Sequence, residues 1–227
     1  MKLLKRINQK LSNRRAYREA SLIFDKFKDF TMVPRGVYLE NILLSRRVKP
    51  LQGAIVECGV WRGGMIAGIA SVLGNKRSYY LYDSYEGLPQ AGELDGQRAK
   101  DYQQNTTSET YFDNCKAEIT FAQRAMKMAG IENAHFVKGW FSNTVQHHNS
   151  VVKIALLRLD GDWYNSTMDC LVGLFQYVVE GGLIIIDDYQ MWDGCTRAVH
   201  DFLSQNKLPA RIREYNNSLT YIEKTTA

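Results

Sequence analysis

No apolar run in this 227-residue chain approaches the ~20 residues that a membrane span needs, so no span is expected. The first residues, MKLLKRINQKLSNRRAYREA, lack the apolar stretch and small-residue cleavage site of a secretory signal. A cytoplasmic protein is the expectation. Cysteine is scarce: Cys58, Cys115, Cys170 and Cys195 stand far apart, with no C-x-x-C pair. That spacing argues against a zinc site and a disulfide framework. It leaves four reduced, mostly buried thiols as the expectation. Internal repeats and low-complexity tracts are absent. So are the nucleotide signatures G-x-G-x-x-G and G-x-x-x-x-G-K-[ST].

What the chain does have is an ordinary 45% of apolar residues, enough for a real core. Its charge is uneven. Residues 1–50 hold thirteen Lys or Arg against four Asp or Glu, whereas the rest of the chain is net acidic. A basic arm can meet nucleic acid, a membrane surface or an acidic substrate. Aromatic residues are not interleaved here as a stacking platform requires, so a solvated helical face is expected, with neither nucleic acid nor membrane as a partner. The adjacent His147 and His148, on a short helix, point apart and are expected at the surface.

Periodicity divides the chain at about residue 50. Residues 1–50 read as a basic helical arm: apolar spacing predicts helices over 2–30 and again after Pro34, ending near Pro50. Residues 51–227 read as one domain. AIVEC (54–58), SYYLYD (78–83), AHFVKG, VKIALLRLD (152–160) and LIIID are predicted strands. Helices are predicted between them, over 64–74, 110–130 and 166–182, with another at CTRAVHDFLSQN. Residues 86–108 are predicted as a loop, and ARIREY and SLTYIEK as a closing hairpin turned by Asn-Asn. The expected fold class is α/β: a doubly wound, mostly parallel seven-stranded sheet with helices on both faces and a terminal antiparallel hairpin. In such sheets ligands bind beyond the carboxyl ends of the strands, where the strand order reverses.

Those carboxyl ends carry acids. Glu57 ends the first strand and Asp83 the second. Asp160 ends the fourth, with Asp162 behind it, and LIIID runs into Asp187 and Asp188. One such acid is often a helix cap or a turn former. The set, converging on one edge, needs a cation or hydroxyl donors to hold it together. The first group, VECGVWRGGM followed by Asp83, places a glycine turn after the first strand and a hydroxyl-binding acid after the second. That suits a dinucleotide or S-adenosylmethionine. Val60, Trp61 and Arg62 would crowd a pyrophosphate, which S-adenosylmethionine lacks. The second group, Asp160, Asp187 and Asp188, is three carboxylates without Cys or His, a donor set for a hard cation such as Mg2+. A hard cation eases deprotonation of a hydroxyl, as an O-methyl transfer requires.

Five motifs in order, VECGVWRGG, YDSYEGLP, KGWF, LLRLDGDWYNST and GGLIIIDDY, resemble the macrocin O-methyltransferase family from about residue 31 to about 203. These are class I, metal-dependent enzymes that methylate sugar hydroxyls in antibiotic biosynthesis. The resemblance implies S-adenosylmethionine as methyl donor and Mg2+ held by Asp160, Asp187 and Asp188, with Asp160 also the general base. It implies that Glu57, Gly59, Trp61 and Gly63 line the methionine end of the cofactor. Asp83 and Ser84 would hold the ribose, and Gly139, Trp140 and Phe141 would border the adenine. Asp162, Tyr164 and Tyr189 are expected near the acceptor, a hydroxylated, sugar-like small molecule. A homo-oligomer is implied as well. Two alternatives stay open: the same chemistry on a catechol or peptide-derived metabolite, and a non-catalytic binding protein that works through its basic arm.

Overall fold

Short runs of β-branched, leucine and aromatic residues become strands: β1 (Ala54–Cys58), β2 (Tyr79–Asp83), β3 (Ala134–Lys138), β4 (Ile154–Leu159), β5 (Val178–Ile186), β6 (Ile212–Tyr215) and β7 (Leu219–Glu223). In the computed structural model, which describes residues 2–109, 111–149 and 152–225, they form one seven-stranded sheet. Its order is β3-β2-β1-β4-β5-β7-β6. The first five strands are parallel, and β7 and β6 close the edge antiparallel. The hairpin turns at Asn216 and Asn217, both at positive φ, as a tight right-twisted turn requires. Strand order reverses between β1 and β4, so their carboxyl ends open the crevice.

The pleat sends alternate residues to opposite layers. Ile55, Leu81, Leu156, Leu183 and Ile185 pack under α1 (Lys2–Phe27), α2 (Arg35–Ser45), α3 (Gly64–Leu73) and α5 (Ile119–Met128). Val56, Cys58, Leu157, Leu159, Ile184 and Ile186 pack against α7 (Tyr164–Leu174) and α8 (Asp193–Gln205). The basic segment therefore contributes core: Ala20, Phe27, Tyr38, Ile42 and Val48 are buried in the first layer. No helix among the described residues is long and apolar enough to cross a membrane.

Four local expectations are corrected. The helix expected to run to residue 182 ends at Leu174, and VVEGG belongs to β5. Val178 and Val179 favour the strand. Gly181, at φ 73°, and Gly182 sit beside a register irregularity with β4, so the glycines mark a bulge rather than a helix stop. The loop over 86–108 contains a helix, α4 (Gly96–Gln104), whose inner face buries Ala99 and whose polar remainder hides its period. The helix expected over 110–130 is confined to α5, because Asp113, Asn114 and Cys115 all take positive φ; residue 110 lies outside the described residues. His148 is buried, not superficial. Its Nδ1 lies 2.8 Å from the Tyr82 hydroxyl and its ring packs against Tyr80 and Tyr177. His147 is exposed.

α2 is fastened to α3 by one buried bond. The Tyr38 hydroxyl donates to the Gly64 carbonyl at 2.8 Å, in space left by Gly68, where a Cβ would lie 2.0 Å from that hydroxyl. Tyr38→Phe is expected to cost about 1 kcal/mol and to lower Tm by about 2–4 °C. A thermal melt tests this, and an unchanged Tm would remove the bond from the account.

Candidate active site

β1, β4 and β5 are in register such that Glu57 faces Arg158 and Arg158 faces Ile185, two residues before Asp187. The period of two then puts Glu57, Arg158 and Asp187 on one face of the sheet. Arg158 is fully buried. Its Nη1 donates to Glu57 Oε1 at 3.0 Å and to Asp160 Oδ2 at 2.7 Å, and its Nη2 lies 2.5 Å from Asp187 Oδ1. Its Nε donates to Asn41 Oδ1 of α2 at 3.2 Å. Reading of the sequence found the acids and passed over this cation. The available signal was an arginine inside the apolar strand IALLRL, where a buried charge demands partners.

Beyond Arg158, one oxygen each of Asp160, Asp187 and Asp188 come within 4.8 Å of one another. One oxygen of each carboxylate also meets a partner within the protein. Arg158 takes one of Asp160 and one of Asp187, and the Asp162 amide donates to Asp188 Oδ2 at 3.0 Å. Asp162, at φ 58°, turns its own carboxyl to the Trp192 indole N–H at 2.8 Å.

The turn after β1 is built for close approach. Gly59 has φ 87°, and a Cβ there would sit 1.7 Å from the Asp160 carbonyl oxygen. Asp83 braces the turn from the next strand. Its Oδ2 accepts from the amides of Val60 and Trp61 at 2.7 and 2.8 Å, and its Oδ1 accepts from Tyr85 at 2.6 Å. Oδ1 keeps a lone pair for another donor.

These groups open onto one cavity of about 1080 Å³. Glu57, Gly59, Trp61, Asp83 and Ser84 line it, as do Gly139, Trp140 and Phe141 beyond β3, and Asp160, Asp162, Asp187 and Asp188. Gly63 does not. It caps α3 at φ 81°, and a Cβ there would lie 2.8 Å from Ala122 Cα. Tyr164 and Tyr189 are also outside the wall, hydrogen-bonded to Asp201 and His200. The sequence did not single out two further stretches of wall. One is the strap Phe30–Pro34 between the first two helices. The other is an apolar end made by Leu88, Pro89, Tyr102, Phe112, Met191 and Trp192.

One guanidinium cannot neutralise this many carboxylates. Burial pushes Glu57 up to about 8 against the opposing pull of Arg158, and Asp187 up to about 6 in the same way. Burial and then the nearby Asp160 push Asp162 up to about 8. Asp188 is raised well above the usual range by burial and by its three acidic neighbours. Burial also raises Asp83, against its three amide donors. The cluster therefore favours taking up a proton or a cation.

The doubly wound sheet, the glycine turn at the switch point and the acids beyond it define a class I methyltransferase. The O-methyltransferase NovP has the same fold, with a TM-score of 0.71 and 25% identity over 87% of this chain and 83% of that one. The chain belongs to the macrocin-O-methyltransferase (TylF) family, whose profile matches residues 28–224. It is 32% identical, over 77% of its length, to 8-demethyl-8-(2,3-dimethoxy-alpha-L-rhamnosyl)-tetracenomycin-C 4'-O-methyltransferase of Streptomyces olivaceus. It is 29% identical, over 76%, to demethyldecarbamoylnovobiocin O-methyltransferase of Streptomyces niveus. The matched regions cover 67% and 66% of those relatives.

The raised acids give a signed pH dependence. A carboxyl near 8 in the folded protein and about 4 unfolded stabilises fully below pH ~4 and loses that contribution as pH rises to 8. Without divalent cations, Tm should fall from pH 5 to pH 8.5, and Asp162→Asn should flatten the fall. A Tm that climbs over that interval in both proteins would contradict it.

Proposed function

We propose that the protein transfers the methyl group of S-adenosylmethionine to a hydroxyl of a sugar or sugar-bearing small molecule, with Mg2+ held by Asp160, Asp187 and Asp188. The observation that carries this reading is the convergence of three carboxylate oxygens in the wall of the cavity that the glycine turn also lines. The donor set fits: all-oxygen, three-sided, and left with excess negative charge by Arg158. The relatives' names supply the acceptor class. Arg98 is the one basic residue among the described residues lining the cavity, which suits an uncharged hydroxylated acceptor better than a phosphorylated one.

Each residue then has a task. Glu57 Oε2, buried and without a partner, accepts from the methionine ammonium. Gly59 and Trp61 shape the turn beside it, and Gly63 starts the helix that supports it. Asp83 Oδ1 and Ser84 meet the ribose; Gly139, Trp140 and Phe141 enclose the adenine. A bound divalent cation lowers the pKa of a hydroxyl it touches. Asp160, half-buried beside Arg158, takes the acceptor proton. The hydroxyl oxygen forms the new C–O bond as the C–S bond breaks, and S-adenosylhomocysteine leaves with the sulfur electron pair. Positioning of oxygen, methyl carbon and sulfur in line is the enzyme's main contribution.

Asp160→Asn and Asp188→Asn should each lower methyl transfer about a hundredfold or more, with S-adenosylhomocysteine affinity within a few fold of wild type. Mass spectrometry on a panel of glycosides, free sugars and catechols provides the assay. Full transfer by both variants would sink the cation mechanism, and transfer to catechols alone would sink the acceptor class.

A further inference from the structure

Arg158 has four partners, and three of them belong to the site. The fourth is Asn41, on α2, more than a hundred residues away in sequence. Asn41 is fully buried. Its Nδ2 donates to the Val37 carbonyl one turn back at 3.0 Å, which fixes the amide with its oxygen towards the guanidinium. Because a guanidinium is planar, fixing Nε fixes the directions in which both Nη groups point. Nη1 then reaches Asp160 Oδ2, and Nη2 reaches Asp187 Oδ1. Asp160 Oδ1 and Asp187 Oδ2 are the oxygens of those two carboxylates that Arg158 does not take.

We propose that Asn41 is a positioning residue for the cation site: through Arg158 it decides which oxygens of Asp160 and Asp187 stay free for a divalent cation. This rests on the cation reading above. Without Asn41 the guanidinium keeps its three carboxylates but loses the bond that sets its plane, so it can tilt towards the free oxygens and compete with the cation instead of preparing its site. Removing Arg158 would alter charge and orientation together. Removing Asn41 leaves every charge in place and takes away only the acceptor of Nε. Partners one step behind a metal ligand are commonly worth ten- to a hundredfold in metal affinity, and this one acts through a protein cation.

Tyr38 provides the matched control. It lies on the same helix, is equally buried, and makes its polar contact to Gly64, not to Arg158. The experiment is calorimetric titration of Mg2+ into protein saturated with S-adenosylhomocysteine, for wild type, Asn41→Leu and Tyr38→Phe, well below each Tm. Asn41→Leu is expected to weaken Mg2+ about tenfold or more. Tyr38→Phe is expected to lower Tm yet bind Mg2+ within twofold of wild type. Asn41→Ser, too short to reach Arg158, carries the same expectation should Asn41→Leu not fold. Wild-type Mg2+ affinity in both Asn41 variants would overturn the proposal, as would an equal weakening by Tyr38→Phe. A wild type that binds S-adenosylhomocysteine but no Mg2+ would overturn the cation reading itself, and this inference with it.

Discussion

A single buried guanidinium holds together three pieces of chain that repel one another. Glu57, Asp160 and Asp187 lie at the ends of three neighbouring strands, and among the described residues Arg158 is the cation that forms ion pairs with them. A buried ion pair is no guarantee of stability, since desolvation can cancel the attraction. Taking away one partner is different, because it strands the others without compensation, at about 3–5 kcal/mol. Arg158 is therefore a condition of the site's existence. It is also insufficient. One positive charge facing three carboxylates leaves Glu57 and Asp187 with raised pKa values despite the contact. That residual negative charge is what a cation and a methionine ammonium can use.

The backbone supports the same arrangement. The Asp160 amide donates to the Cys58 carbonyl at 2.8 Å just where β1 and β4 separate, and Gly59 lies against the Asp160 carbonyl with no room for a side chain. The two strand ends are thus in contact at the point where the crevice opens. Val60 and Trp61 then turn their amides to Asp83 on the other side. A substitution at Gly59 would displace an aspartate and a loop together, so the glycine turn and the acid cluster cannot drift apart independently.

Much of this was legible in the sequence for a local reason. An acid at the end of an apolar strand advertises itself, and Glu57, Asp83, Asp160, Asp187 and Asp188 do meet at one cavity. Arg158 did not, because its meaning lies in register. Only the pairing of β4 with β1 and β5 shows that its neighbours are Glu57 and the residue two before Asp187. Asn41 was hidden further still, in a segment whose charge drew attention to its surface while Tyr38, Asn41 and Ile42 were being buried. α4 escaped because a nine-residue polar helix that covers a cavity has too few apolar positions to show a period. VVEGG was misread because two glycines after an apolar run stop a helix and make a strand bulge with equal ease.

The apolar end of the cavity is not independent of the acids. The Trp163 indole donates to the Pro89 carbonyl, and Asp95, buried ahead of α4, accepts from the Tyr164 amide at 2.6 Å. Arg98 of α4 donates to the Met191 carbonyl and lies over the Trp192 ring. Trp192 in turn donates to Asp162, and its amide and that of Met191 donate to the Asp188 carbonyl. These ties of the wall end on residues 162–164 or 188–192, the two turns that carry the acids, while Gln103 and Asn114 fasten Leu88 and Pro89 from the other side. A longer or shorter segment between residues 88 and 104 reshapes the apolar end, provided that Pro89, Asp95 and Arg98 keep those ties. The same physical links that let this apolar wall vary require it to vary around a fixed cluster of carboxylates.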